Sequence, residues 1–173
     1  YVVVFMDATY LNVRRDSVAK EPLHVLLGIT PDGTREVLDY ALYPTESAAN
    51  YEEMLQGIKS RGVEQILLFA SDGLEGIFER AKESLFKFYR FPKAIRKSIY
   101  TTNIIERCNE CLKHKSNVKE QFPNEDSLEC FVCSCYSELN RSWAERMQRG
   151  FQQASAEILQ MFDKDQKQES KSV

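Results

Sequence analysis

Three acidic residues stand where backbone structure could hold a carboxylate in place. Asp7 ends the apolar run YVVVFM, Asp72 lies in a Ser-Asp-Gly step after the apolar run QILLFA, and Glu106 follows Thr101, Thr102 and Asn103, a pattern that opens a helix. If such carboxylates converge, they form a hard oxygen site suited to Mg²⁺ or Mn²⁺. Two such ions about 3.5–4 Å apart can activate a water or a hydroxyl on one side of a phosphodiester and steady the leaving oxygen on the other. The chemistry would be phosphoryl transfer without a covalent enzyme intermediate. The plainer reading is that Asp before Gly marks a turn and that Glu early in a helix only complements the positive helix end. With 26 Asp and Glu in the chain, spacing alone leaves both readings open.

Sulfur offers a rival site. Cys108/Cys111 and Cys130/Cys133 are two C-x-x-C pairs whose separation fits a zinc ribbon. Ribbon cysteines, however, sit on tight turns, whereas these pairs lie in stretches free of Gly and Pro that read as helix. Buried thiols on helical faces are the alternative, and a cytosolic chain would not keep a structural disulfide.

The elements that would carry the acids can be read from the apolar pattern. Residues 1–7 form a continuous β-branched run, as in a strand buried on both faces, which would put Asp7 at its carboxyl end. Residues 23–30 and 35–43 read as two more strands joined by the turn Pro31-Asp32-Gly33. Thr45 can cap a helix reaching about residue 61, residues 65–70 read as a short fourth strand, and residues 74–89 as a helix. After the break at Phe91-Pro92, Thr101 or Thr102 caps the helix carrying Glu106. A long helix over 126–162 follows Phe122-Pro123-Asn124, with an interruption near Gly150, and a disordered tail over 163–173 ends the chain. This order is that of an RNase H-like mixed sheet, a three-strand meander plus a parallel strand with flanking helices. In it, Asp7 and Asp72 would stand side by side.

Charge adds a position to this arrangement. The net charge of -3 conceals segments of -7 over 1–79, +8 over 80–119 and -4 over 120–173. The basic block surrounds Glu106, as a phosphate-contacting surface requires, although a solvated helical face has the same composition. Arg107, Lys113, Lys115 and Lys119 are the candidate phosphate contacts, with Arg14 and Arg15 weaker ones. A chain 43% hydrophobic and 28% charged suits one α/β domain, expected over residues 1–162. It has no apolar run of the roughly 20 residues a bilayer demands and no signal sequence, so a cytoplasmic protein is expected. Starting at Tyr1 inside a strand, it is expected to lack an upstream module.

Several stretches carry a resemblance over nearly the whole chain. MDATYLNVRRD, LLGITPDGTREVLDYALYPTES, YEEMLQGIKSRGVEQILLFASDGLEG, FYRFPKAIRKSIYTTNIIERCNECLKHK and EQFPNEDSLECF resemble successive blocks of bacterial Mutator-like insertion-sequence transposases. The resemblance implies a DDE transposase that binds DNA at element ends and target, cleaves and transfers strands with two Mg²⁺ or Mn²⁺ ions, and acts as a homo-oligomer on the nucleoid. It puts the family's acids on Asp7, Asp72 and Glu106, with Thr101, Thr102 and Asn103 as the turn that aims Glu106. It also implies an internal deletion with a seam within residues 77–84. The family's fifth strand, its C-x-x-H motif and its helical insertion are not found there, and His24 and His114 do not supply the motif. A catalytically inactive remnant that binds DNA or an intact transposase is the alternative, followed by a zinc-ribbon nucleic-acid binder.

Overall fold

The computed structural model describes residues 1–14, 18–45, 47–71, 90–117, 119 and 121–169. The expected helix over 74–89, the seam within 77–84, Asp72 and Arg15 lie outside the described residues. Three long strands, β1 (Val3–Arg14), β2 (Val18–Ile29) and β3 (Arg35–Leu42), form an antiparallel meander. A short β4 (Phe69–Ser71) pairs parallel to β1, giving the order β3-β2-β1-β4. This four-stranded mixed sheet with flanking helices is compatible with the expected RNase H-like arrangement.

β1 is central, and its sequence shows why. Val3 and Phe5 enter one core with Leu11 and Val13, while Val4 and Met6 enter a second core on the other face. Each fully buried side chain of this kind stabilises the fold by about 1.5–3 kcal/mol. Asp7 was expected at the end of this strand, but β1 continues to Arg14. Past Asp7 the pattern changes from continuous burial to alternation, with Thr9, Leu11 and Val13 buried and Tyr10, Asn12 and Arg14 exposed. That is the period of a strand with one open face. β4 reaches only Met6 in register, and β2 pairs along the whole of β1, from Val3 opposite Ile29 to Arg14 opposite Val18. β2 accordingly begins before the expected residue 23.

Helix α1 (Ala48–Ser60) covers the second core with Tyr51, Met54 and Ile58. Its cap is Ser47, which accepts from the Asn50 N–H at 3.2 Å, and not Thr45. It ends in a Schellman turn, with the Val63 N–H on the Ile58 carbonyl and Gly62 at a φ of 99°.

The first core is closed by α2 (Lys93–Ile99), α3 (Asn103–Asn117), α4 (Glu125–Trp143) and α5 (Phe151–Glu169). The short α2 was not foreseen; Pro92 precedes it without a side-chain capping bond, and Ile95 and Ile99 anchor it. The expected long helix divides into α4 and α5 around Gly150, whose φ is 87°. A Cβ at Gly150 would lie 2.3 Å from the Ala94 carbonyl oxygen, so the close seating of α5 on α2 demands glycine. Helix α5 continues to Glu169, beyond the residue where the disordered tail was expected to begin.

Candidate functional site

Asp7 is half-buried in β1, on the face covered by α3. Both carboxylate oxygens are held: Oδ1 accepts from the Ala8 N–H at 2.8 Å, and Oδ2 from the Asn109 side-chain amide at 2.8 Å. Asn109 is itself only 5% exposed, and its Oδ1 has no hydrogen-bond partner among the described residues. Glu106 lies one turn before Asn109 on the same helix and is exposed. The Thr102 hydroxyl donates to Glu106 Oε1 at 2.7 Å, and the Glu106 N–H closes on the Thr102 carbonyl at 3.0 Å. Thr102 therefore both starts α3 and aims the carboxylate, while Thr101 is half-buried just before it and Asn103 is the exposed first residue of the helix.

Asp72 lies outside the described residues. β4 approaches it: Ser71 pairs with Met6, Ala70 with Phe5 and Phe69 with Val4, all in parallel. The residues that precede Asp72 and Asp7 in sequence are thus neighbours across one ladder. Among the described residues, no group of three or more His, Cys, Asp or Glu converges as metal ligands.

The basic candidates separate. Lys113 shares the flank of α3 that carries Glu106, whereas Lys115 turns to α4 and pairs with Glu138 at 2.6 Å. Lys119 lies over the rings of Phe122 and Phe131, at 5.8 and 5.1 Å. Arg107 is exposed near Arg35, whose guanidinium stacks on Trp143 at 4.7 Å. Burial, then the neighbouring Arg146 and Arg107, lower the Arg35 pKa. Arg14 ends β1, its N–H bonded to the Phe122 carbonyl at 2.8 Å.

Against known proteins, the family described as "Transposase, Mutator family" matches residues 1–81 and 77–146. The chain belongs to the Mutator family of transposases. It is 27% identical to a transposase for an insertion sequence element of Lactococcus lactis subsp. lactis, over 94% of this chain and 60% of the relative. It is 29% identical to an insertion-sequence transposase of Lactobacillus helveticus, over 76% of this chain and 56% of the relative. The chain thus spans little more than half the length of these relatives.

Within this Mutator-family chain, the residue that the acid pattern missed is Asn109. Its signal was present: a polar amide interrupts the apolar stripe of Ile105, Cys108 and Leu112 on α3, and polar groups on such a stripe need a partner. The C-x-x-C pairs do lie in helices, with Cys108 buried, Cys111 half-buried, and Cys130 and Cys133 exposed. His24 lies across the sheet from Asp7, opposite Ala8 in register, with its ring edge-on to Tyr43 and Tyr51 at 5.6 and 5.1 Å. His114 is exposed on α3. No helix among the described residues is long and apolar enough to cross a membrane.

Proposed function

We propose that this chain carries the catalytic core of a DDE transposase, which cleaves and transfers DNA strands at mobile-element ends with Asp7, Asp72 and Glu106 as its metal-holding carboxylates. The observation that carries this reading is the docking of the Glu106 helix onto Asp7 through the buried Asn109 amide. The parallel ladder that leads toward Asp72 supports it. The donor set fits a hard divalent cation, because it offers carboxylate oxygens and the Asn109 amide oxygen, which has no hydrogen-bond partner among the described residues. Mg²⁺ or Mn²⁺, as a pair of ions, would be held by Asp7, Asp72 and Glu106 and would supply activation of the attacking oxygen and neutralisation of the leaving one.

The chain's own residues supply positioning. The Ala8 N–H and the Asn109 amide fix the Asp7 carboxylate, and Thr102 holds Glu106. The substrate would be DNA, and the place of action the bacterial nucleoid. The test is strand cleavage of a duplex carrying the element's own ends, with Mg²⁺ or Mn²⁺. Asp7→Asn and Glu106→Gln should each abolish it with the fold retained; cleavage that survives either change removes that residue from the mechanism.

A second reading rests on its own observation. The two family matches overlap at residues 77–81, and the Lactococcus alignment runs over 235 residues against a chain of 173. Both support an internal deletion relative to the family. A chain so shortened would bind DNA or an intact transposase without turnover. Binding to element ends with no metal-dependent cleavage would favour this reading.

A further inference from the structure

A pocket of about 250 Å³ opens where α3 crosses β1, lined by Tyr10, Asn12, Lys20, Lys113 and Asn117 together with Leu11, Ser116 and Phe122. We propose that it is a subsite for the phosphodiester backbone of the DNA strand that reaches Asp7 and Glu106. This rests on the reading of the substrate given above.

The charge of the lining points to an anion. Among the described residues, Lys20 and Lys113 are the charged part of its lining, and asparagine amides and a tyrosine hydroxyl add neutral donors of the kind that position phosphates. The comparable hollow between β3 and α4 is lined by Glu125, Asp126 and Glu129 and would repel one.

Two independent geometries tie the pocket to the candidate site. At about 100° and 1.5 Å per residue, Lys113 falls about 20° from Glu106 around α3 and about 10 Å along it, whereas Lys115 falls about 180° away. The second geometry is the edge of β1. The Val4 N–H donates to the Leu68 carbonyl, the Ala8 N–H to Asp7 Oδ1 and the Arg14 N–H to the Phe122 carbonyl. From Val4 onward, even-numbered residues therefore turn their amides to the edge that faces away from β2, and the Asp7 carboxylate folds onto that edge. Tyr10 and Asn12 continue it into the pocket. Lys20, opposite Asn12 in register, approaches from β2 and Lys113 from α3. A strand following this edge of β1 would pass the Asp7 carboxylate and then meet Lys113 on the α3 side and Lys20, which shares the open face of the sheet with Asn12.

The experiment uses the whole chain and a labelled duplex oligonucleotide, read by fluorescence anisotropy across a salt series. Lys20→Gln with Lys113→Gln should weaken binding about tenfold at low salt and flatten the dependence of log affinity on log salt by about two, near 0.9 for each phosphate left without its lysine. Lys115→Gln should change affinity less than about twofold, since that ammonium pairs with Glu138 on the other flank of α3. Circular dichroism melts would confirm that all three changes leave the fold intact. An unaltered affinity in the double variant, an equal loss in the Lys115 variant, or no binding by the unaltered chain would overturn the proposal. Inorganic phosphate competing as well per phosphate as the duplex would mark a free-phosphate site and also overturn it. Lysine-dependent binding without any metal-dependent cleavage would keep the subsite and refute the catalytic reading.

Discussion

Asn109 is the residue on which the candidate site turns, because its amide donates to Asp7 while its own oxygen stays buried and unpartnered among the described residues. Asn109→Ala removes one hydrogen bond to a carboxylate and should cost about 1–3 kcal/mol. Asn109→Asp should cost more at neutral pH, since it replaces that donor by a second negative charge against Asp7. Repulsion raises the pKa of such a pair above the unfolded values. The variant's stability should therefore be highest at acid pH and fall as pH rises through the carboxylate range. Mn²⁺ should restore it if the oxygens bind the ion. Urea unfolding at two pH values, with and without Mn²⁺, checks this; an Asn109→Asp variant as stable at neutral pH as Asn109→Ala would disprove the hydrogen bond. The thiols make a separate prediction. Burial, with Cys111 next in effect, pushes the Cys108 pKa from 9.0 up to about 12. A raised acid contributes stability that is present below the unfolded pKa, so stability should decline as pH climbs above 9.0. Thiol titration at mildly alkaline pH should label Cys130 and Cys133 quickly and Cys108 only on unfolding. Equal labelling rates would contradict the burial.

At the scale of elements, β3 shows how a sheet edge is completed by a helix. Asn140 on α4 accepts from the Val37 N–H at 2.8 Å and donates to the Val37 carbonyl at 3.1 Å, as a neighbouring strand would. The register slips between Leu26 and Leu27 at the same place, leaving Leu38 as the extra residue of a bulge. Asn140→Ala strands both backbone groups of Val37, and a loss of about 1–3 kcal/mol is expected in chemical unfolding. A change below about 0.5 kcal/mol would mean that water replaces the amide without cost. Helix α3 is the other decisive element. Its buried face of Ile105, Cys108 and Leu112 sets its rotation, and that rotation alone sends Glu106 and Lys113 to one flank and Lys115 to the other.

For the whole molecule, two cores sandwich one sheet, and among the described residues β4 ends it. Leu67 and Leu68 are 7% exposed, whereas Phe69 is 37% exposed, so the strand is anchored inward and carries an apolar side chain on its outer part. An apolar strand at a sheet edge invites pairing with another chain. Self-association that rises with concentration is expected in light scattering, and Phe69→Lys should reduce it. A chain that stays monomeric across the accessible concentration range would show that this edge is protected.

The sequence by itself determined the family and much of the layout, because each depends on local pattern: the meander, the Gly150 interruption and the start of α3 just after Thr101 and Thr102 were all legible in apolar period and capping residues. It also placed Asp7 in a central strand, since a short, β-branched run like VVVFM suits a strand buried on both faces. Local pattern could not say that β1 runs on past Asp7, because that depends on where β4 stops pairing and β2 does not. Nor could it sort the basic block, whose lysines are alike in composition but differ in direction once α3 is docked. Only the tertiary structure brought Asn109 to Asp7 across 102 residues. A hydrogen bond of that span follows from how a helix is rotated on a sheet, and rotation is set by the packing of the whole core rather than by any motif around either residue.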